Sequence, residues 1–191
     1  MKSYSSCFIG IPLPQEYQQE FEQLLIDINA IDPSIEIVQP QTPHITLSYL
    51  NKQSQFALNK ISKLIKPYGH LLQDVDITVS GLGYFSKENP QVIFLDIKYP
   101  ELLADFRNKI LPTLEEFSVT DNTVAFHPHL TVGRIKDTKA RENFRKNEKI
   151  IAQRVNKVNW NFKVREIALY GVDSTKSPEH QEKLFSIPVI L

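Results

Sequence analysis

Two short stretches of this 191-residue chain share one pattern: Pro43-His44-Ile45-Thr46-Leu47 and Pro128-His129-Leu130-Thr131-Val132. A bare His-x-Thr is weak evidence, because a chain with five His produces roughly 0.2 of them by chance. Requiring the leading proline and the two alternate apolar residues lowers the expectation to about 0.001 per copy. The spacing has a physical reason. On an extended strand, residues i and i+2 face the same side, about 7 Å apart. Each motif therefore offers an imidazole and a hydroxyl on one face and anchors itself through the apolar residues on the other. Two such strands side by side would surround a small anion with two imidazoles and two hydroxyls. The hydroxyls can donate to phosphate oxygens. One imidazole can take a proton from water while the other gives one to a leaving oxygen. Histidine suits both roles because its pKa lies near neutrality. The expected chemistry is acid–base cleavage of a phosphodiester by His44 and His129, with Thr46 and Thr131 binding phosphate. It calls for no metal and no cofactor, and for a bell-shaped pH–rate profile with limbs near roughly pH 5–8.

Other residues carry weaker signals. Arg134 ends the second motif and has the chemistry to bind phosphate; strict alternation sends it to the opposite face unless a bulge intervenes near Gly133. Phe85 and Tyr84 follow two glycines and could stack on a base. Ser48 shares the face of His44 and Thr46 by alternation, but no base partner marks it as a nucleophile. His127 and His129 could begin a metal site, yet no cysteine or carboxylate cluster accompanies them.

Strands and helices that would position these residues follow from periodicity. Residues 4–11, 35–38, 43–50 and 75–80 read as strands, with GLGYF (81–85) turning the chain. A helix follows Pro14, with Tyr17, Phe21, Leu24, Leu25 and Ile28 at helical spacing, and Ser54 caps a second. The order then recurs: a strand at 91–98, a helix after Pro100 that Pro112 should end, a short extended piece at 123–126, and a strand at 128–134. A polar helix over roughly 138–152 and strands at 155–160, 164–172 and 184–190 close the chain. His44 and His129 lie 85 positions apart, and Phe8 and Phe94 lie 86 apart. That near-constant offset points to an internal duplication, approximately 4–85 and 91–172. The expected architecture is α+β: one two-lobed domain over 1–191, with two mainly antiparallel sheets flanked by helices around a central cleft.

Composition narrows the setting. Lys plus Arg and Asp plus Glu are both 22, so net charge is zero, which disfavours a binder of long duplexes. Residues 134–165 nevertheless carry eleven Lys or Arg against three Asp or Glu, and the rest of the chain balances that excess. The segment reads as a solvated helix face or as a basic wall beside an anion site. The single cysteine, Cys7, excludes an intrachain disulfide and reads as a core residue. No apolar run approaches spanning length and the start is a poor secretory signal, so a cytoplasmic protein with no membrane partner is the default, and a monomer is expected.

The paired motifs resemble those of the two-histidine phosphoesterase superfamily. CFIGIPLP near the start, GYF followed by QVIFLDIK, and FHPHLTVGR are similar to the branch of RNA 2',3'-cyclic phosphodiesterases, historically called 2'-5' RNA ligases. That branch commonly has an arginine before the opening phenylalanine, where this chain has Ser6-Cys7. The resemblance covers Phe8 to about Val172. It implies His44 and His129 as the acid–base pair, Thr46 and Thr131 as phosphate ligands, and Arg134 as a further substrate contact; Phe85 stays a candidate base-stacking residue on its position alone. It implies metal-independent hydrolysis of a 2',3'-cyclic phosphate, on an RNA end or a nucleotide, to a 2'-phosphate. A 2'-5' RNA ligase or 2',5'-phosphodiesterase activity at the same site, or a non-catalytic nucleotide-binding module, are the alternatives.

Overall fold

A computed structural model describes residues 3–117, 125–173 and 180–189. The chain runs β1 (Ser3–Tyr4), β2 (Ser6–Pro12), α1 (Gln18–Ile31), β3 (Glu36–Ile37), β4 (His44–Leu50), β5 (Gln53–Ser54), α2 (Gln55–Ile65) and β6 (Asp76–Phe85). It continues through β7 (Val92–Lys98), α3 (Glu101–Ile110), β8 (His129–Arg134), α4 (Thr138–Val155), β9 (Trp160–Lys163), β10 (Glu166–Asp173) and β11 (His180–Pro188). Local chemistry sets the helix limits. Ser54 accepts the Ala57 N–H at 3.2 Å and Asp137 accepts the Ala140 N–H at 2.8 Å, satisfying donors that a helix start leaves open. Pro112 ends α3 at Ile110, two residues before itself, and the chain continues as a 3-10 turn over Leu111–Leu114.

Nine strands form one antiparallel sheet in the order β11-β10-β2-β4-β8-β7-β6-β9, with β3 added to β8, and β1 pairs with β5 in a separate two-stranded sheet. Its two halves meet at a narrow seam, the single pair Ile45↔Leu130 between β4 and β8. The α+β class therefore takes the form of one curled main sheet, with the two halves expected as separate sheets joined at this seam. β6 joins the half that holds β7, and β10 joins the half that holds β2, so each half draws strands from both ends of the chain. The apolar faces of the motif strands (Ile45, Leu47, Leu130 and Val132) lie in one core with Phe21 of α1, Ile61 of α2, Phe106 of α3 and Phe144 of α4. The opposite face at the seam is left to the histidines and threonines.

Several expectations need correction. GLGYF does not turn the chain: Gly81 adopts φ 85°, open to glycine, and the strand kinks through a bulge between Val79 and Leu82 and runs on to Phe85. Residues 155–159 do not form a strand, because α4 persists to Val155 and β9 begins at Trp160. The strand expected from residue 184 starts at His180. Strand registers equate Phe94 with Gly10, not with Phe8: Thr131 faces Phe94 as Thr46 faces Gly10. Of the extended piece expected at 123–126, residues 123 and 124 lie outside the described residues, and Ala125 and Phe126 belong to no strand. Cys7 is buried in the core, which pushes its thiol pKa up to about 11.

Candidate active site

Because Ile45 and Leu130 face each other across an antiparallel seam, the register one residue to either side sets His44 opposite Thr131 and Thr46 opposite His129. Directly opposed residues share a face, so all four polar side chains point away from the core together. The diagonal between the two histidine positions is then roughly 7–8 Å, and somewhat less from Cβ to Cβ. A cavity of about 660 Å³ opens on this face and is lined by His44, Thr46, Thr131 and Arg134 among others. His129 sits two residues before Thr131, and its charge is felt at His44.

Both imidazoles are oriented in the same way. The Nδ1–H of His44 donates to the Thr42 carbonyl at 2.8 Å, and that of His129 donates to the His127 carbonyl at 2.8 Å. A carbonyl only accepts, so in each neutral ring Nδ1 carries the proton and Nε2 keeps the lone pair. The leading prolines help, since they hold the preceding residues extended and bring those carbonyls back to the ring.

The surroundings differ. His44 stacks on Phe8 with centroids 4.4 Å apart and lies 4.9 Å from Tyr170. Gly10 makes room: a Cβ there would come within 2.9 Å of the Ile45 carbonyl oxygen and 3.4 Å of His44 Cδ2. Gln181 of β11 donates to Thr42 Oγ1 at 2.7 Å and to the Thr42 carbonyl at 3.1 Å, bracing the acceptor that orients His44. Burial lowers the His44 pKa to about 4; the Thr42 hydrogen bond opposes this and the His129 charge adds to it. His129 instead lies among Phe94 at 4.9 Å, Phe85 at 4.9 Å and His127. Burial lowers its pKa as well. The His127 carbonyl opposes that shift, the charges of His127 and Arg134 reinforce it, and Asp96 opposes it again.

Arg134 reaches the cleft by a bulge. Ile93 faces Gly133 and Phe94 faces Thr131, so Val132 is an extra residue with no partner, and alternation restarts one step later. β4 does the same: Ile9 faces Ser48 and Gly10 faces Thr46, leaving Leu47 unpaired. Ser48 is consequently buried, at 1% exposure, and does not share the face of Thr46. Tyr49 takes its place, 48% exposed and lining the cavity. Arg134 and Tyr49 are thus counterparts, each five positions after its histidine. Sequence reasoning missed Tyr49 because it assumed unbroken alternation. The matching Arg134, read with a bulge, was the available signal. It also missed Gln181, for which the sequence holds no local signal.

Phe85 is 39% exposed and sets its ring edge-on to His129, outside the residues lining the cavity around His44. Tyr84 turns inward, bonded to Glu148 at 2.9 Å and covered by Arg145. The basic segment is partly neutralised: Arg154 pairs with Asp27, Lys163 with Asp74 and Lys136 with Glu36. Of its cations, Arg134 and Lys136 line the cleft. Among the described residues no group of three or more His, Cys, Asp or Glu is placed to hold a metal ion, and no helix is long and apolar enough to cross a membrane.

Residues 15–176 match the 2'-5' RNA ligase superfamily. An RNA 2',3'-cyclic phosphodiesterase of Methanothermobacter thermautotrophicus is 22% identical over 138 residues, covering 71% of this chain and 73% of that protein. TT0787 of Thermus thermophilus has a similar structure, with a TM-score of 0.72 at 18% identity over 96% of this chain and 97% of its own. E. coli LigT complexed with 3'-AMP gives a TM-score of 0.68 at 20% identity over 98% of each chain. The family match spans most of the sequence and the fold agrees with it end to end: the chain belongs to the 2'-5' RNA ligase superfamily of two-histidine phosphoesterases.

Proposed function

We propose that the protein hydrolyses a 2',3'-cyclic phosphate, on an RNA end or a nucleotide, to a 2'-phosphate without a metal ion. The observation that carries this reading is the seam pair Ile45↔Leu130, whose register turns two imidazoles and two hydroxyls to one face, with His44, Thr46 and Thr131 lining the cavity there. Thr46 and Thr131 donate to the non-bridging phosphate oxygens. One histidine takes a proton from water through Nε2 as the water oxygen bonds to phosphorus. The bond from phosphorus to O3' breaks, and the other histidine, protonated, delivers its proton to O3'. The products are a 2'-phosphate and a free 3'-hydroxyl, and the two histidines end with exchanged protonation states. Arg134 adds a charge-assisted contact to the phosphate, and Tyr49 offers its exposed ring to the base. The matching relative named as an RNA 2',3'-cyclic phosphodiesterase supports the choice of substrate.

The test is incubation of the protein with 2',3'-cyclic nucleotides and with cyclic-phosphate-ended RNA in excess EDTA. The expected result is 2'-phosphate product. Absence of turnover for every cyclic or 2',5'-linked substrate overturns the proposal, and joining of RNA ends through a 2',5' bond would reassign the site to ligation.

A further inference from the structure

Arg107, in α3, is a buried cation with no part in the proposed chemistry: it is 6% exposed and is not among the residues lining the cleft. Arginine is seldom buried without a partner that compensates its lost hydration. Its Nε–H donates to the carbonyl of Leu47 at 3.0 Å, and its guanidinium lies 4.9 Å from the Phe126 ring centroid. Leu47 is the unpaired residue of the β4 bulge. A bulge breaks the ladder and leaves main-chain groups without a strand partner. Beyond the Ile45↔Leu130 seam β4 has also left β8, and among the described residues no other strand pairs with that edge.

The other half of the site shows what such a donor does. The carbonyl of Val132, the unpaired residue of the β8 bulge, accepts the main-chain N–H of Val38 at 3.0 Å, just past β3. β3 covers the β8 edge and holds the bulge that delivers Arg134 to the cleft. On β4 the carbonyl of the bulge residue, Leu47, instead accepts from the Arg107 side chain.

We propose that Arg107 is a positioning residue: by holding the Leu47 carbonyl it fixes the β4 bulge, and through it keeps Tyr49 on the substrate face. The inference rests on the reading of Tyr49 as a nucleotide contact and extends it to a residue behind the strand. Its effect falls on binding and not on proton transfer, because the motif residues His44 and Thr46 precede the bulge.

A double-mutant cycle on a 2',3'-cyclic nucleotide tests this. Arg107→Met is expected to raise KM about three- to tenfold with kcat within about twofold, similar to Tyr49→Ala, because loss of a stacking contact is felt in binding. In the Tyr49→Ala background the Arg107 substitution should add no further change in KM. A folded Arg107→Met protein with unchanged KM, or effects that multiply in the double variant, overturns the inference. Arg107→Gln, polar but too short to reach Leu47, serves in the same cycle if the methionine variant does not fold. If the wild type turns over no nucleotide, the functional proposal fails separately, and 13C-tyrosine spectra decide this one. The Tyr49 ring signal, assigned with Tyr49→Phe, should move in either Arg107 variant while that of the distant Tyr17 stays; an unmoved Tyr49 signal overturns it.

Discussion

The two halves of the cleft hold the same side chains in the same order but support them by different means. On the β4 side, His44 lies flat on Phe8, beside Tyr170, with its orienting carbonyl braced by the neutral amide of Gln181. On the β8 side, His129 meets Phe85 and Phe94 obliquely, and His127 next to it contacts the carboxylate of Asp96 at 3.4 Å. The bulge on one side is held by a side chain and on the other by a strand. The lesson is that near-symmetry fixes where the groups point, while asymmetric support sets how each titrates and what each presents at the outer position: an aromatic ring at 49 or a guanidinium at 134.

The strongest way to break the comparison is to remove each imidazole. His44→Ala and His129→Ala should each lower kcat by about 10²–10⁴ with little change in thermal unfolding. The double variant should lose far less than the product of the two, because acid and base act as a unit. A single variant that keeps wild-type turnover would reduce the pair to one working half. The threonines rank next. Thr46→Ala and Thr131→Ala should each cost about 1.5–3 kcal/mol in kcat/KM, the scale of one hydrogen bond to a charged group. Markedly unequal costs would show that the phosphate sits nearer one half.

How much of this was legible beforehand can be traced residue by residue. The motif faces around Ile45 and Leu130 were readable because period-two alternation holds up to Thr46 and Thr131. It fails at Leu47 and Val132, where an extra residue shifts the phase, so alternation alone puts Ser48 into the cleft and Tyr49 out of it. Arg134 was readable only by supposing the bulge. Gln181 and Arg107 were invisible, since each acts on the motif strand from a part of the chain at least 60 residues away. The strand exchange that places β6 with β7 and β10 with β2 was equally hidden, because hydrophobic periodicity defines strands and not their neighbours.

Space behind His44 gives a smaller and more selective test. Gly10→Ala would set a Cβ 2.9 Å from the Ile45 carbonyl oxygen and 3.4 Å from His44 Cδ2. The backbone oxygen cannot yield freely, so the substitution should push the seam and the ring aside by a few tenths of an ångström. Misplacing a catalytic group on that scale should lower kcat about tenfold. No comparable glycine underlies His129, where Phe94 occupies the equivalent position. A wild-type rate in Gly10→Ala would mean that the His44 ring tolerates displacement, and that the tight stacking on Phe8 is packing alone.

The smallest expected effect concerns the ligand-free protein and reads the asymmetry through pH. Above about pH 6.5 His44 is neutral whether the chain is folded or not, and it adds no pH dependence to stability. Between that value and its folded pKa of about 4 the unfolded chain binds a proton that the folded chain refuses. Stability therefore falls as pH is lowered through this window, and the slope ends below it. His129, whose pKa burial also lowers, contributes with the same sign, but Asp96 opposes its shift. Carboxylates add their own acid lability, so the informative quantity is the melting temperature of wild type minus that of a non-titrating variant. His44→Asn should lose less on going from pH 7 to pH 5 than wild type does, by on the order of a few degrees, and His129→Asn should show the smaller difference. Bound phosphate should shrink both, because an anion between the rings favours the imidazolium. Kinetics should follow suit: the acid limb of kcat/KM, which reports the free enzyme, should lie below that of kcat, which reports the complex. Equal pH dependence in the two asparagine variants would mean that Gln181 and Asp96 leave the histidines electrostatically alike, and that the halves differ in shape but not in proton affinity.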